Sequence, residues 1–83
     1  MMSDDQIKKS VLAIIGRIAP EADIEKLDPD ERLRNQFDFD SVDFMNFAGA
    51  IKEDLNVEIP EEDYLQLSTL NSCIAYLKSR LDT

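Results

Sequence analysis

The chain contains no histidine, one cysteine and half as many bases as acids. Each shortage excludes something. Without histidine the commonest general base and the commonest transition-metal ligand are both missing, so a catalytic role starts without its usual parts. A single cysteine, Cys73, cannot form an internal disulfide. No apolar run approaches the roughly 18 residues of a membrane span. The opening "MMSDDQIKKS" has neither the basic start nor the long apolar stretch of a secretory signal. A cytoplasmic chain is expected, with no insertion into a membrane. Nine Lys and Arg against eighteen Asp and Glu give a net charge of −9. A surface of that sign repels nucleic acid phosphates and anionic membranes and attracts proteins with basic patches.

What is present reads as helices. Eighty-three residues form one domain, here expected over 1–83, and apolar residues at 43% allow a packed core. In "DDQIKKSVLAIIGRIAP", Ile7, Val11, Ile14, Ile15 and Ile18 fall at helical spacing, with Ser3 or Asp4 as cap and Pro20 as stop. A stretch without clear period follows, "PEADIEKLDPDERLRNQFDFD". A loop that long in a small domain needs pins; Ile24, Leu27, Leu33 and Phe37 supply them, with a turn at Asp28-Pro29 and one helical turn after it. A second helix begins near Ser41. Its core stripe is Phe44, Phe47, Ala48, Ile51 and Leu55, Asp40 is its cap, and Asn56 ends it in a left-handed conformation. Pro60 and three following acids open a short helix to about Leu67. "STLNSCIAYLKSRLDT" is the last helix, capped by Ser68 or Thr69, with Leu70, Ile74, Leu77 and Leu81 as its stripe. No β alternation, repeat or low-complexity segment interrupts this all-α pattern of three main helices, one short helix and a long first loop.

Residues 37–44, "FDFDSVDF", raise the functional question. Ser41 lies at a helix start, where backbone N–H groups and the helix dipole favour an anion such as a phosphoester. The plainer alternative is that Ser41 or Asp40 only caps the helix. A nucleophilic serine needs an activating base, and none is available, so chemistry at this hydroxyl would be done by another protein. The aspartates do not make a calcium loop: position 42 is Val and the twelfth position is Gly49. No metal site is expected. Cys73, beside the apolar stripe of the last helix, reads as a small core residue. Charge is concentrated, with nine acids and one base, Lys52, between Asn35 and Leu65. Val42, Met45 and Gly49 form an apolar seam on that acidic face, which suits docking of a basic partner.

Together these features resemble the acyl carrier protein family. The family's Asp-Ser pair followed by an apolar residue is here Asp40-Ser41-Val42, at the start of the second helix. Its apolar-proline-acid start to the third helix is here Ile59-Pro60-Glu61-Glu62. The resemblance spans essentially the whole chain and implies a four-helix acyl-carrier-like bundle. It implies that a phosphopantetheinyl transferase places 4′-phosphopantetheine from coenzyme A on Ser41. The arm's thiol would carry acyl groups as thioesters between acyl-transferring or ketosynthase-type enzymes, and the chain itself would catalyse nothing. Asp40, Val42, Asp43, Met45, Glu53 and Ile59 are the partner-facing positions so implied. Phe44, Phe47, Ile59, Tyr64, Leu67 and Cys73 are the implied walls of a cargo pocket, whose bulk favours a short, polar or aromatic cargo. The resemblance implies a carrier of fatty-acid, polyketide or specialised lipid synthesis, and Asp38, Val42, Asn46 and Lys52, which depart from the pattern of housekeeping fatty-acid carriers, favour one dedicated to a specialised pathway. An aminoacyl or peptidyl carrier, and an unmodified acidic interaction module, are the alternatives. A shuttle of this kind is expected to be a monomer.

Overall fold

Ser3 opens the first helix with a reciprocal pair of hydrogen bonds. The Gln6 backbone N–H donates to the Ser3 hydroxyl at 3.2 Å, and the Ser3 N–H donates to the Gln6 side chain at 2.8 Å. Two donors that a helix start leaves without partners are thereby satisfied. In the computed structural model, which describes residues 2–81, this helix, α1, runs Asp4–Ile18. A 3-10 turn at Ile24–Lys26 and a single helical turn, α2 (Leu33–Gln36), punctuate the long first loop. The second long helix, α3, spans Ser41–Leu55. A 3-10 segment at Glu61–Leu67 leads to α4 (Leu70–Leu81). Among the described residues there is no strand. The expected last helix ran on to Thr83; Asp82 and Thr83, with Met1 of the expected domain, lie outside the described residues.

Helix α1 is the hub, packing against both α3 and α4. Ile7, Val11, Ile14 and Ile15 are wholly buried, while Ile18 is half-buried at the open end. Helix α3 contributes Phe47, Ala48 and Ile51; Phe44 and Leu55, at the ends of its stripe, are half-buried. The buried set of α4 is Leu70, Cys73, Tyr76 and Leu77, with Ile74 and Leu81 only half-buried. That face is rotated from the expected stripe because α4 packs on two neighbours, α1 and the 3-10 segment. Tyr76 faces the segment and donates its hydroxyl to Asp63 at 2.7 Å. Asp63 also takes Arg80 at 2.7 Å, so one carboxylate ties the segment to α4 twice. The short helix expected after Pro60 is therefore a seven-residue 3-10 run, with Pro60 as its cap residue. Such length is unusual for that geometry, and external ties of this kind hold it.

The first loop is stitched down by polar groups. The Leu33 N–H donates to the Ser68 carbonyl at 2.8 Å, and the Asn71 N–H to the Pro29 carbonyl at 3.0 Å. The Gln36 amide donates to the carbonyls of Asp28 and Glu31 and accepts from the Asp28 N–H. Leu33 is wholly buried; Ile24, Leu27 and Phe37 pack partly against the core. Phe39 and Val57 are also core residues, both in connectors without a period to reveal them.

Asn56 ends α3 at φ 56°, ψ 44°. A residue with a Cβ is disfavoured there by roughly 1–2 kcal/mol, and asparagine and glycine are the usual exceptions. Replacing Asn56 by Ala is expected to cost about 1 kcal/mol, and by Gly almost nothing, in urea unfolding of the two variants. The hydrogen bonds from Tyr76 and then Arg80 hold the Asp63 carboxyl below its ordinary 3.8. A carboxyl whose pKa falls on folding contributes stability above its unfolded value and loses it as pH falls through the folded one. Asp63→Asn is expected to lower the urea midpoint at neutral pH and to flatten the decline on acidification below that ordinary value.

Candidate functional site

The carboxylate of Asp40 accepts the Asp43 N–H at 2.8 Å, and its carbonyl accepts the Phe44 N–H at 2.9 Å. Asp40 is thus the cap of α3, with extended backbone at φ −80°, ψ −176°. Ser41 follows as the first helical residue. Its side chain is exposed and makes no hydrogen bond among the described residues. The hydroxyl is left accessible at the positive end of a fifteen-residue helix.

Beside Ser41 lies a groove of about 550 Å³ between the start of α3 and the 3-10 segment. Its walls are Phe39, Asp40, Ser41, Phe44 and Met45 on one side and Tyr64, Leu65 and Ser68 on the other, with Arg32, which precedes α2, and Arg34 within it. The aromatic wall is a continuous array of edge-to-face and tilted rings. Phe39 meets Phe44 at 6.2 Å and 82°, and meets Phe47 at 5.7 Å and 76°. Phe44 meets Tyr64 at 6.1 Å. Such pairs prefer these tilted arrangements and fix one another's orientation.

Of the six expected pocket residues, the structure brings Phe44 and Tyr64 to the groove with Ser41. Phe47, Leu67 and Cys73 are wholly buried beneath it, and Ile59 is half-buried against the core without lining it. Burial pushes the Cys73 thiol up to about 12, so it stays protonated. Among the expected partner-facing positions, Val42 and Met45 stand 63% and 62% exposed, and Met45 lines the groove. Asp40 and Glu53 are exposed; Asp43 and Ile59 are half-buried. Leu65, at 84%, is the most exposed large apolar side chain, and sequence reasoning missed it. Arg32, Arg34, Phe39 and Ser68 were missed as groove residues too. Their signal lay in the long first loop and the segment joint, where no periodicity assigns a face. Lys52, the one base of the acidic stretch, is paired with Glu58 at 3.3 Å.

Comparison with known proteins agrees with this geometry. Residues 9–77 match the family described as "Phosphopantetheine attachment site". A protein named acyl carrier protein from Lactobacillus johnsonii is 32% identical over 57 residues, covering 69% of this chain and 71% of that one. Another acyl carrier protein, from Lactobacillus acidophilus, is 24% identical over 78 residues, covering 94% and 96%. A putative mitochondrial acyl carrier protein of Schizosaccharomyces pombe is 24% identical over 70 residues, covering 84% and 62%. The chain belongs to the phosphopantetheine-attachment family of acyl carrier proteins, which are non-catalytic carriers. The residues present fit the group: an accessible, unengaged hydroxyl at a helix N-terminus opens onto a partly apolar groove.

The division of labour between Asp40 and Ser41 has a thermodynamic signature. Asp40→Ala is expected to cost about 1 kcal/mol in urea unfolding. Ser41→Ala, which breaks no hydrogen bond, should stay within about 0.5 kcal/mol of wild type. The opposite order would make Ser41 the cap.

Proposed function

We propose that Ser41 carries 4′-phosphopantetheine and that the chain is a dedicated carrier of acyl groups. The observation that carries this reading is the idle Ser41 hydroxyl: capping is done by Asp40, and the Ser41 side chain makes no hydrogen bond among the described residues. When bound, the group supplies a thiol at the end of a flexible arm, to which an acyl group is joined as a thioester. The chain's own part is to present and to position. Asp40 fixes the helix start and so the direction of the Ser41 Cβ–Oγ bond. With no histidine in the chain, deprotonation of Ser41 falls to a phosphopantetheinyl transferase docked at this face.

Docking uses the same surface. Val42 and Met45 form an apolar centre, bordered by Asp40, Asp43 and Glu53, with Ile59 further along. Acidic rims speed encounter with basic patches, and a small apolar centre lets the complex separate again. A tether then raises the cargo's effective concentration at the docked enzyme. Acyl-transferring and ketosynthase-type enzymes of fatty-acid, polyketide or specialised lipid synthesis, in the cytoplasm, are the partners proposed. Phe39, Phe44 and Tyr64 make the groove suitable for a short or aromatic acyl group rather than a long one.

Incubation with coenzyme A and a broad-specificity phosphopantetheinyl transferase tests the attachment. Intact mass is expected to rise by one phosphopantetheine on wild type and not at all on Ser41→Ala. Loading of the variant, or none on wild type while a control carrier loads, would overturn the assignment of Ser41.

A further inference from the structure

The groove beside Ser41 borders the most acidic part of the chain, yet one end of it is cationic. Arg32 and Arg34 both line it. The chain has four arginines. Arg17 is paired with Asp54 at 2.6 Å and Arg80 with Asp63 at 2.7 Å. The two that face the groove have no side-chain hydrogen bond or ion pair among the described residues. Of the acids close to them in sequence, Asp38 lines a different groove, beside Lys26 and Gln36, and three others are engaged elsewhere. The Asp28 carboxylate accepts the Asp30 N–H at 2.9 Å, Asp30 accepts from the Asn71 amide at 2.7 Å, and Glu31 accepts from the Asn35 amide at 3.4 Å. The groove's own carboxylate, Asp40, is turned to its capping bond with Asp43.

The backbone that bears these two arginines is anchored. Leu33, between them, is wholly buried, and its N–H is bonded to the Ser68 carbonyl on the facing wall. Arginine presents a planar fork of donors that matches carboxylate and phosphate oxygens two at a time. Two such forks, neither used by the fold, open on the space next to an unengaged serine hydroxyl.

We infer that Arg32 and Arg34 bind an oxyanion brought into this groove on the arm linked to Ser41, an inference that rests on the attachment reading above. Two parts of a loaded arm have that chemistry. One is the phosphodiester at Ser41; the other is a carboxylate at the far end of an acyl group that carries one. Phe39, Phe44 and Tyr64, all uncharged, line the same groove.

Side-chain Nε–H signals of the full-length protein test this directly. Four forms are compared: unmodified, loaded with the bare arm, butyryl-loaded and succinyl-loaded, with intact mass verifying each. Arg32→Gln and Arg34→Gln assign the two signals. Both are expected to shift on loading while those of Arg17 and Arg80 stay, and the shift should vanish at about 1 M salt, where the screening length is about 3 Å. A shift already present with the bare arm assigns the phosphodiester. A shift with succinyl but not butyryl assigns a terminal carboxylate. Signals of Arg32 and Arg34 unmoved in all three loaded forms would overturn the inference. Absence of any group on Ser41 by mass would instead remove the attachment reading, and this inference with it.

Discussion

The hydrogen bond from the Asp43 N–H to the Asp40 carboxylate, 2.8 Å long, fixes where α3 begins. Everything at the site follows from that start. It places Ser41 one residue inside the helix, with its hydroxyl unspent and its backbone at the positive end of the dipole. It sends Phe44 and Phe47 towards the core side and leaves Val42 and Met45 exposed. A cap one residue later would rotate each of these side chains by about 100° around the helix axis, given 3.6 residues per turn.

The opposite wall of the groove is built by different means. The 3-10 segment has few apolar anchors of its own; Leu67 is its one buried residue. Asp63 and Ser72 supply much of the rest, through Tyr76 and Arg80 on one side and the Gln66 carbonyl on the other. Polar ties of this kind bind less total area than a hydrophobic stripe but define position closely. The two walls meet where the Phe44 ring lies tilted against that of Tyr64. One wall is thus set by a helix cap and the other by a carboxylate shared between two elements.

Helix positions were legible in the sequence because each long helix has an apolar period and a polar cap: Ser3 before α1, Asp40 before α3, Asn56 after it. Ser41 was legible for the same reason, as an oxygen-bearing residue next to a better cap. The groove was not. Arg32, Arg34 and Leu65 reach it from segments whose faces are decided by partners distant in sequence, such as the Leu33 to Ser68 hydrogen bond across 35 residues. Phe47, Leu67 and Cys73 are apolar at plausible spacing, but spacing cannot tell the outer layer of a core from its centre. The turn of α4 that buries Tyr76 depended on the bond to Asp63, which no periodicity encodes.

Burial of Cys73 has a bearing on chemical fidelity. Its sulfur is sealed from solvent and stays protonated until about pH 12. The chain also lacks imidazole altogether. The folded chain therefore offers neither a thiolate nor an imidazole, the two side chains best able to intercept a thioester near neutral pH. On the carrier reading proposed above, the protein is a quiet bystander to the thioester, whose fate is left to whichever enzyme docks.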